Sequence, residues 1–230
     1  MHFAASTRPV QPPRHCAWRG TARVLAEILF ILSGIMAARK PIPSSSSDPA
    51  SPLAFTASDP LLASFPPVVA RDTRTLILGS LPGVASLQMR QYYGHPRNAF
   101  WKLVGEVLGA DLYAMDYPTR LQTLLAHRVG LWDVIAQARR IGSLDSDIRD
   151  HSQNDLQTLL AQLPTLETIA FNGGTAGKIG LHALGEQAGR YRILLLPSSS
   201  PAYAALSYAQ KLASWRQLAD PAGGLCETTS

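Results

Sequence analysis

Eight consecutive residues, Gln91-Tyr92-Tyr93-Gly94-His95-Pro96-Arg97-Asn98, bring together two phenol rings, an imidazole, a guanidinium and two amides. Rings can stack on a flat ligand, the imidazole and guanidinium can donate to oxygen, and an amide both donates and accepts. Buried without partners, such groups cost folding energy, so the cluster belongs on the wall of a cleft. Two shorter polar sets follow, Asn172-Gly173-Gly174 and Ser198-Ser199-Ser200. With Asp133 and His95 that serine run contains the types of a hydrolytic triad, but the chain has no G-x-S-x-G elbow around it.

Each polar set stands at the end of a short apolar run. Thr75 to Leu78 is β-capable and stops at Gly79-Ser80-Leu81-Pro82-Gly83, where two glycines and a proline force a tight loop. The expected first strand runs from Val68 to Leu78, preceded by a short helix over Asp59 to Phe65. Phe100, Trp101, Val104, Val107 and Leu108 recur at helical spacing, which places Trp101 in the core and leaves Phe100 open between core and cleft. Pro118 opens a helix that feeds a second strand, Val129 to Val134, with Asp133 read as structural. Arg139 to Asp155 reads as a long polar loop whose hydroxyls and carboxylates cap helices and solvate a surface. Thr168 to Phe171 is a third strand followed by a helix over Thr175 to Leu184, Tyr191 to Leu196 a fourth, and Leu206 to Leu218 a closing helix. Gly177-Lys178 is no phosphate-binding loop: Asn172 stands where its first glycine belongs, and Ile179 replaces the metal-binding hydroxyl.

Four apolar strands separated by helices predict a three-layer α/β/α sandwich with a central, mostly parallel four-stranded sheet. Ligands bind such sheets beyond the carboxyl ends of the strands, where the polar sets gather.

The net charge of +5 looks like a nucleic-acid signal until it is located. Arg8, Arg14, Arg19, Arg23, Arg39 and Lys40 against Glu27 account for all of it, and the remainder of the chain holds 15 basic and 15 acidic side chains. Any phosphate contacts must therefore be local. Residues 1–55 read as an N-terminal extension, either disordered or upstream of a natural start at Met36, 56–220 as one domain and 221–230 as a tail. The apolar run Val24 to Ala38 has the flanks of a secretory signal, but at 15 residues with Glu27 inside it is short of the ~20 that span a bilayer. Cys16 and Cys226 lie near opposite ends, which argues against a structural zinc and a four-cysteine iron–sulfur cluster. No metal and no cofactor is expected.

GSLPG followed by SLQMRQYYGHPRNAFW resembles the first motif of the uracil-DNA glycosylase superfamily, closest to its hypoxanthine (deoxyinosine) DNA glycosylase group. Gly130-Leu131-Trp132-Asp133-Val134, Gly142-Ser143-Leu144-Asp145-Ser146, Phe171-Asn172-Gly173-Gly174 and Leu196-Pro197-Ser198-Ser199-Ser200-Pro201 agree in the same order. The similarity spans roughly residues 60 to 218. It implies a monofunctional, metal-independent enzyme of base excision repair that flips a deaminated base out of DNA and hydrolyses its N-glycosidic bond, hypoxanthine first, with uracil or xanthine as further substrates. Double- or single-stranded DNA is the expected partner, with no membrane, a monomer as the default for a chain that wraps DNA locally, and a cytoplasmic, nucleoid-associated location.

The same resemblance implies roles by position. Gly79, Ser80, Leu81, Pro82, Gly83, Tyr93, Phe100 and Asn172 would bind substrate. Asn172 would read the base edge or cap a helix. Relatives place an acidic or amide residue before the motif proline to position water, and Leu81 can do neither. In the hypoxanthine group the asparagine of HPRN is catalytic, which falls on Asn98, and the alternative there is a helix N-cap. His95 would donate to charge on the departing base or anchor its loop. Ser86, Arg97, Ser198, Ser199, Ser200 and Tyr203 would meet DNA. Leu81 keeps open two alternatives: a weak or silent module that binds damaged or mismatched DNA, and a uracil- or mismatch-specific glycosylase.

Overall fold

The structure is a computed structural model and describes residues 61–219. Expectations for residues 1–55, for Asp59 and Pro60, and for the tail lie outside the described residues. In chain order the elements are β1 (Leu61–Ala63), β2 (Thr75–Gly79), α1 (Val84–Met89), α2 (Phe100–Leu108), α3 (Tyr117–Ala126), β3 (Val129–Asp133), β4 (Ile135–Arg139), β5 (Arg149–Gln153), α4 (Leu156–Ala161), β6 (Thr168–Asn172), α5 (Gly174–Leu184), β7 (Arg192–Leu196) and α6 (Tyr208–Trp215).

Leu76, Ile77 and Leu78 are fully buried, as in a strand covered on both faces. Successive side chains point to opposite faces. Leu76 and Leu78 meet Ile169, Phe171, Leu159 and Leu160 on one side, while Ile77 meets Phe100, Trp101, Leu131 and Trp215 on the other. Burying each such side chain contributes about 1.5–3 kcal/mol. The four central strands pair in parallel in the order β3-β2-β6-β7. The chain steps from β2 to β3 on one side, then crosses to β6 on the other, so the switch point falls between the carboxyl ends of β2 and β6.

The helices start where local chemistry satisfies their first amides. Asp116 accepts from Thr119 N at 2.8 Å, Asp155 from Thr158 N at 3.0 Å, and Ser207 with Gln210 forms a capping box ahead of α6. Helix α5 lies close on the sheet because Gly180 has no side chain: a Cβ there would stand 2.1 Å from Phe171 Cε1.

Three expectations are corrected. Leu61–Ala63 is not helical but a strand, antiparallel to β4. The expected first strand is interrupted: Val68 forms only an isolated bridge to Leu131, a turn closed by Thr73 N donating to Ala70 O at 3.0 Å follows, and the strand begins at Thr75. Arg139 to Asp155 is not one loop, because β5 pairs antiparallel with β4 to make a second sheet in the order β1-β4-β5. All five residues of β5, Arg-Asp-His-Ser-Gln, are exposed, and an edge strand without apolar alternation carries no periodic signal. Helices α1 and α4, six residues each, were too short to stand out by period.

Candidate active site

The carboxyl ends of β2, β3 and β6 open into a cleft of about 480 Å³. A larger groove of about 730 Å³ runs along α2 between Tyr113 and Tyr208, but the polar residues singled out above converge on the smaller one. Two hydrogen bonds to backbone carbonyls knit its walls together. Ala99 N donates to Ser199 O at 3.0 Å, joining the His95–Asn98 turn to the serine loop, and Trp215 Nε1 donates to Pro197 O at 3.0 Å.

Asn98 lines this cleft and is half-buried. Its Oδ1 accepts from Phe100 N at 3.0 Å, which holds the amide at the start of α2 and leaves the Nδ2 protons and a second Oδ1 lone pair for the cleft. His95 lies in the same turn, its carbonyl accepting from Asn98 N at 2.8 Å. His95 Nδ1 accepts from Arg97 N at 3.1 Å, so the ring proton of that tautomer is on Nε2, where it can donate.

Asn172 also lines the cleft, but much of its bonding is committed. Its Nδ2 donates to Ser199 Oγ and its Oδ1 accepts from Ser199 N, both at 2.9 Å, so the amide latches the end of β6 to the serine loop. One Oδ1 lone pair remains for a ligand edge, while the amide also bears on the Tyr93 hydroxyl. Ser199 is 1 % exposed and belongs to that latch. Ser198 and Ser200 brace the loop itself: Ser198 Oγ accepts from Ser200 N and Ser200 Oγ from Ala202 N, both at 3.2 Å. Arg97 and Tyr203 are exposed beside the cleft, and Lys211 fixes the Tyr203 turn by donating to Tyr203 O at 2.8 Å.

Other residues of the two motif segments are largely buried, several of them at the base of the cleft. Phe100 is fully buried and stacks on Tyr93 with ring centroids 3.6 Å apart, so it supports the wall rather than forming it. Tyr92 is a core residue whose hydroxyl donates to the carbonyls of Phe65 and Pro66, and Trp101 is buried beside it. Ser86 accepts from Gly94 N at 3.0 Å and is buried. Leu81 is 6 % exposed and packs into the core, so the position before Pro82 offers no hydrogen-bonding side chain.

Behind the GSLPG loop stands a buried charged network that sequence reasoning did not assemble. Ser80 Oγ lies 2.8 Å from both carboxylate oxygens of Asp145 and donates to that group. Arg140, 2 % exposed, donates through Nη2 to Pro82 O and through Nε to Gly142 O at 3.1 Å, and its Nη1 lies 4.0 Å from Asp145 Oδ1. Asp133, 3 % exposed, lies alongside. Its Oδ2, the Tyr93 hydroxyl and Arg140 Nη1 are buried with no hydrogen-bond partner among the described residues. Burial, reinforced by the nearby Asp145, pushes the Asp133 carboxyl up to about 7, with Arg140 opposing. Burial likewise raises Asp145, against Ser80 and Arg140, and burial lowers Arg140. Gly79 makes room for this arrangement: a Cβ there would stand 2.5 Å from Asp133 Oδ1 and 3.1 Å from the Tyr93 hydroxyl. The one signal in the sequence was a carboxylate ending a wholly apolar strand at the ligand edge of a parallel sheet.

Among the described residues no three His, Cys, Asp or Glu side chains are placed to hold a metal ion, and no helix is long and apolar enough to cross a membrane.

A doubly covered parallel sheet with a polar cleft at its switch point defines an α/β ligand-binding class, and comparison with known proteins narrows it. The uracil DNA glycosylase superfamily profile matches residues 66–219, and the chain belongs to that superfamily. A hypoxanthine DNA glycosylase of Methanosarcina barkeri is 42% identical over 140 residues, 60% of this chain and 85% of the relative. One from Methanosarcina acetivorans is 45% identical over the same shares. The solution NMR structure of a Methanosarcina acetivorans protein described as a candidate uracil DNA glycosylase superposes with a TM-score of 0.60 at 42% identity, covering 69% of this chain and 98% of that one.

Proposed function

We propose that this protein is a DNA glycosylase that releases hypoxanthine from deoxyinosine by hydrolysis. The observation that carries the proposal is the placement of Asn98 and His95 in one turn on the cleft wall, opposite a GSLPG loop whose Leu81 is buried hydrocarbon. With no polar side chain at position 81, a water aimed at the sugar needs another partner, and the Asn98 amide is within the same cleft. An amide is a poor base, but the sugar carbon becomes cationic as the bond breaks, so orienting the water is enough. The His95 Nε2 proton is available to charge on the leaving base. Asn172 meets the base edge with its remaining lone pair, the Tyr93 ring forms part of the wall, and Arg97 and Tyr203 approach the phosphates and the gap in the duplex. The two Methanosarcina relatives named hypoxanthine DNA glycosylases support this substrate.

A set of duplexes with one lesion each, inosine, uracil, xanthine or ethenoadenine, tests it. Free hypoxanthine should appear fastest. Release of uracil alone would transfer the chain to a pyrimidine substrate, and tight inosine binding without release of any base would make it a damage-binding module.

A further inference from the structure

We infer that Asp133 is a second catalytic residue, whose carboxyl group hands a proton to the purine ring of the flipped nucleotide as the glycosidic bond breaks. The inference rests on the glycosylase function proposed above and adds the group that makes a purine, in particular, leave. Asp133 stands at the carboxyl end of β3, where ligands meet a parallel sheet, and lines the cleft. Its Oδ2 is buried without a partner, a costly state that structural carboxylates avoid. The backbone around it is fixed, because Asn154 Nδ2 donates to Asp133 O at 2.9 Å and to Ile135 O at 3.2 Å. Gly79, with hydrogen where any other residue would meet Oδ1 at 2.5 Å, preserves the space around the carboxyl. The groups that bear on its ionisation are Asp145 and Arg140, from the segment after β4, and the hydroxyls of Tyr92 and Tyr93, from the loop before α2. Burial and Asp145 together keep the carboxyl protonated to about pH 7, which gives an acid at neutral pH.

Uracil departs as a delocalised anion and needs only a hydrogen-bond donor. A purine carries further ring nitrogens that accept a proton, and protonation there removes the charge from the leaving group. In the step inferred, the carboxyl O–H bond breaks and its proton goes to a purine ring nitrogen while the C1′–N9 electron pair departs with the base. Water adds to C1′, and the proton it loses restores the carboxyl. The sum is one water consumed, one neutral base and one sugar hydroxyl formed.

Single-turnover release of hypoxanthine from an inosine duplex, measured from pH 5 to 9 with the full chain, tests this. The wild-type rate should fall tenfold per unit as pH rises above about 7. Asp133→Asn, which keeps the shape but has no transferable proton, should be slower by about 10²–10⁴-fold, lose that descending limb and still bind inosine DNA. Asp145→Asn, by removing the neighbouring like charge, should move the limb to lower pH, and it answers the question if Asp133→Asn does not fold. A flat wild-type profile, an undiminished Asp133→Asn rate, or a slower variant with its limb intact would each overturn the inference while leaving the glycosylase in place. If the wild type releases no hypoxanthine at any pH, the proposed function itself falls.

Discussion

At the scale of single residues, the cleft is built from side chains that perform a structural bond with one atom and offer another. Asn98 anchors the start of α2 through Oδ1, and Asn172 ties β6 to the serine loop through both amide atoms. A side chain pinned in this way loses little further freedom when a ligand arrives, which favours precise placement over adaptability. At Asn98 a structural bond at the helix start and a site role are therefore not exclusive, whereas Asn172 is not the helix cap the sequence allowed: Gly173 precedes α5 and no side chain caps it. Removing the latch has a separable cost. Asn172→Ala should lower stability by about 1–3 kcal/mol, because Ser199 N is left buried and unpaired, and should also weaken discrimination between inosine and undamaged duplexes. Denaturant melts and paired binding titrations check it, and an unchanged melt would remove the latch from the account. Other roles were not legible because burial of a short polar run depends on its partners: nothing in the letters of Ser86 or Ser199 separates them from the exposed Arg97.

At the scale of elements, the strands of the central sheet were readable because Leu76-Ile77-Leu78 and Ile169-Ala170-Phe171 are apolar on both faces, as only a doubly covered strand requires. The antiparallel sheet was not, since β5 is polar throughout and β1 spans three residues. That small sheet matters to the site, because β4 leads directly into Arg140, whose side chain reaches back to Pro82 in the loop after β2. The charged network thus joins two loops more than fifty residues apart, a relation no local pattern encodes. Gly180 shows how close α5 must lie to the sheet to carry Gly173 and Gly174 to the cleft. Gly180→Ala would drive a methyl into the Phe171 ring and should cost about 1–3 kcal/mol, less the helix-propensity gain of about 1 kcal/mol. A melt as stable as the wild type would show that α5 can shift without loss.

At the scale of the molecule, the 15 basic and 15 acidic residues beyond position 40 balance, so residues 41–230 bring no net positive charge to DNA. Recognition then depends on a few contacts around one cleft, which suits a protein that stops at a lesion. The raised carboxyls of Asp133 and Asp145 give the fold a distinct pH signature. Asp133 is raised from 3.8 to about 7 on folding, so the folded chain holds its proton more tightly than the unfolded one. Its stabilising contribution is complete below about pH 4 and is lost as pH rises through about 7. Asp145 acts in the same sense, whereas the exposed caps Asp116 and Asp155, both lowered, act in the opposite one and weaken as pH falls. The stability of Asp133→Asn relative to the wild type should therefore improve steadily between pH 4 and 7, measured by denaturant unfolding at several pH values. A constant difference across that range would mean that the carboxyl does not hold a proton in the folded state.

The most direct test of the account is the single-turnover rate of hypoxanthine release from an inosine duplex by Asn98→Ala. Loss of the helix-start bond should cost about 1 kcal/mol of stability and leave the chain folded. Release should nevertheless fall by about 10²-fold or more while inosine DNA is still bound, because the water is no longer aimed. A rate equal to that of the wild type would contradict the central claim that this amide positions the attacking water.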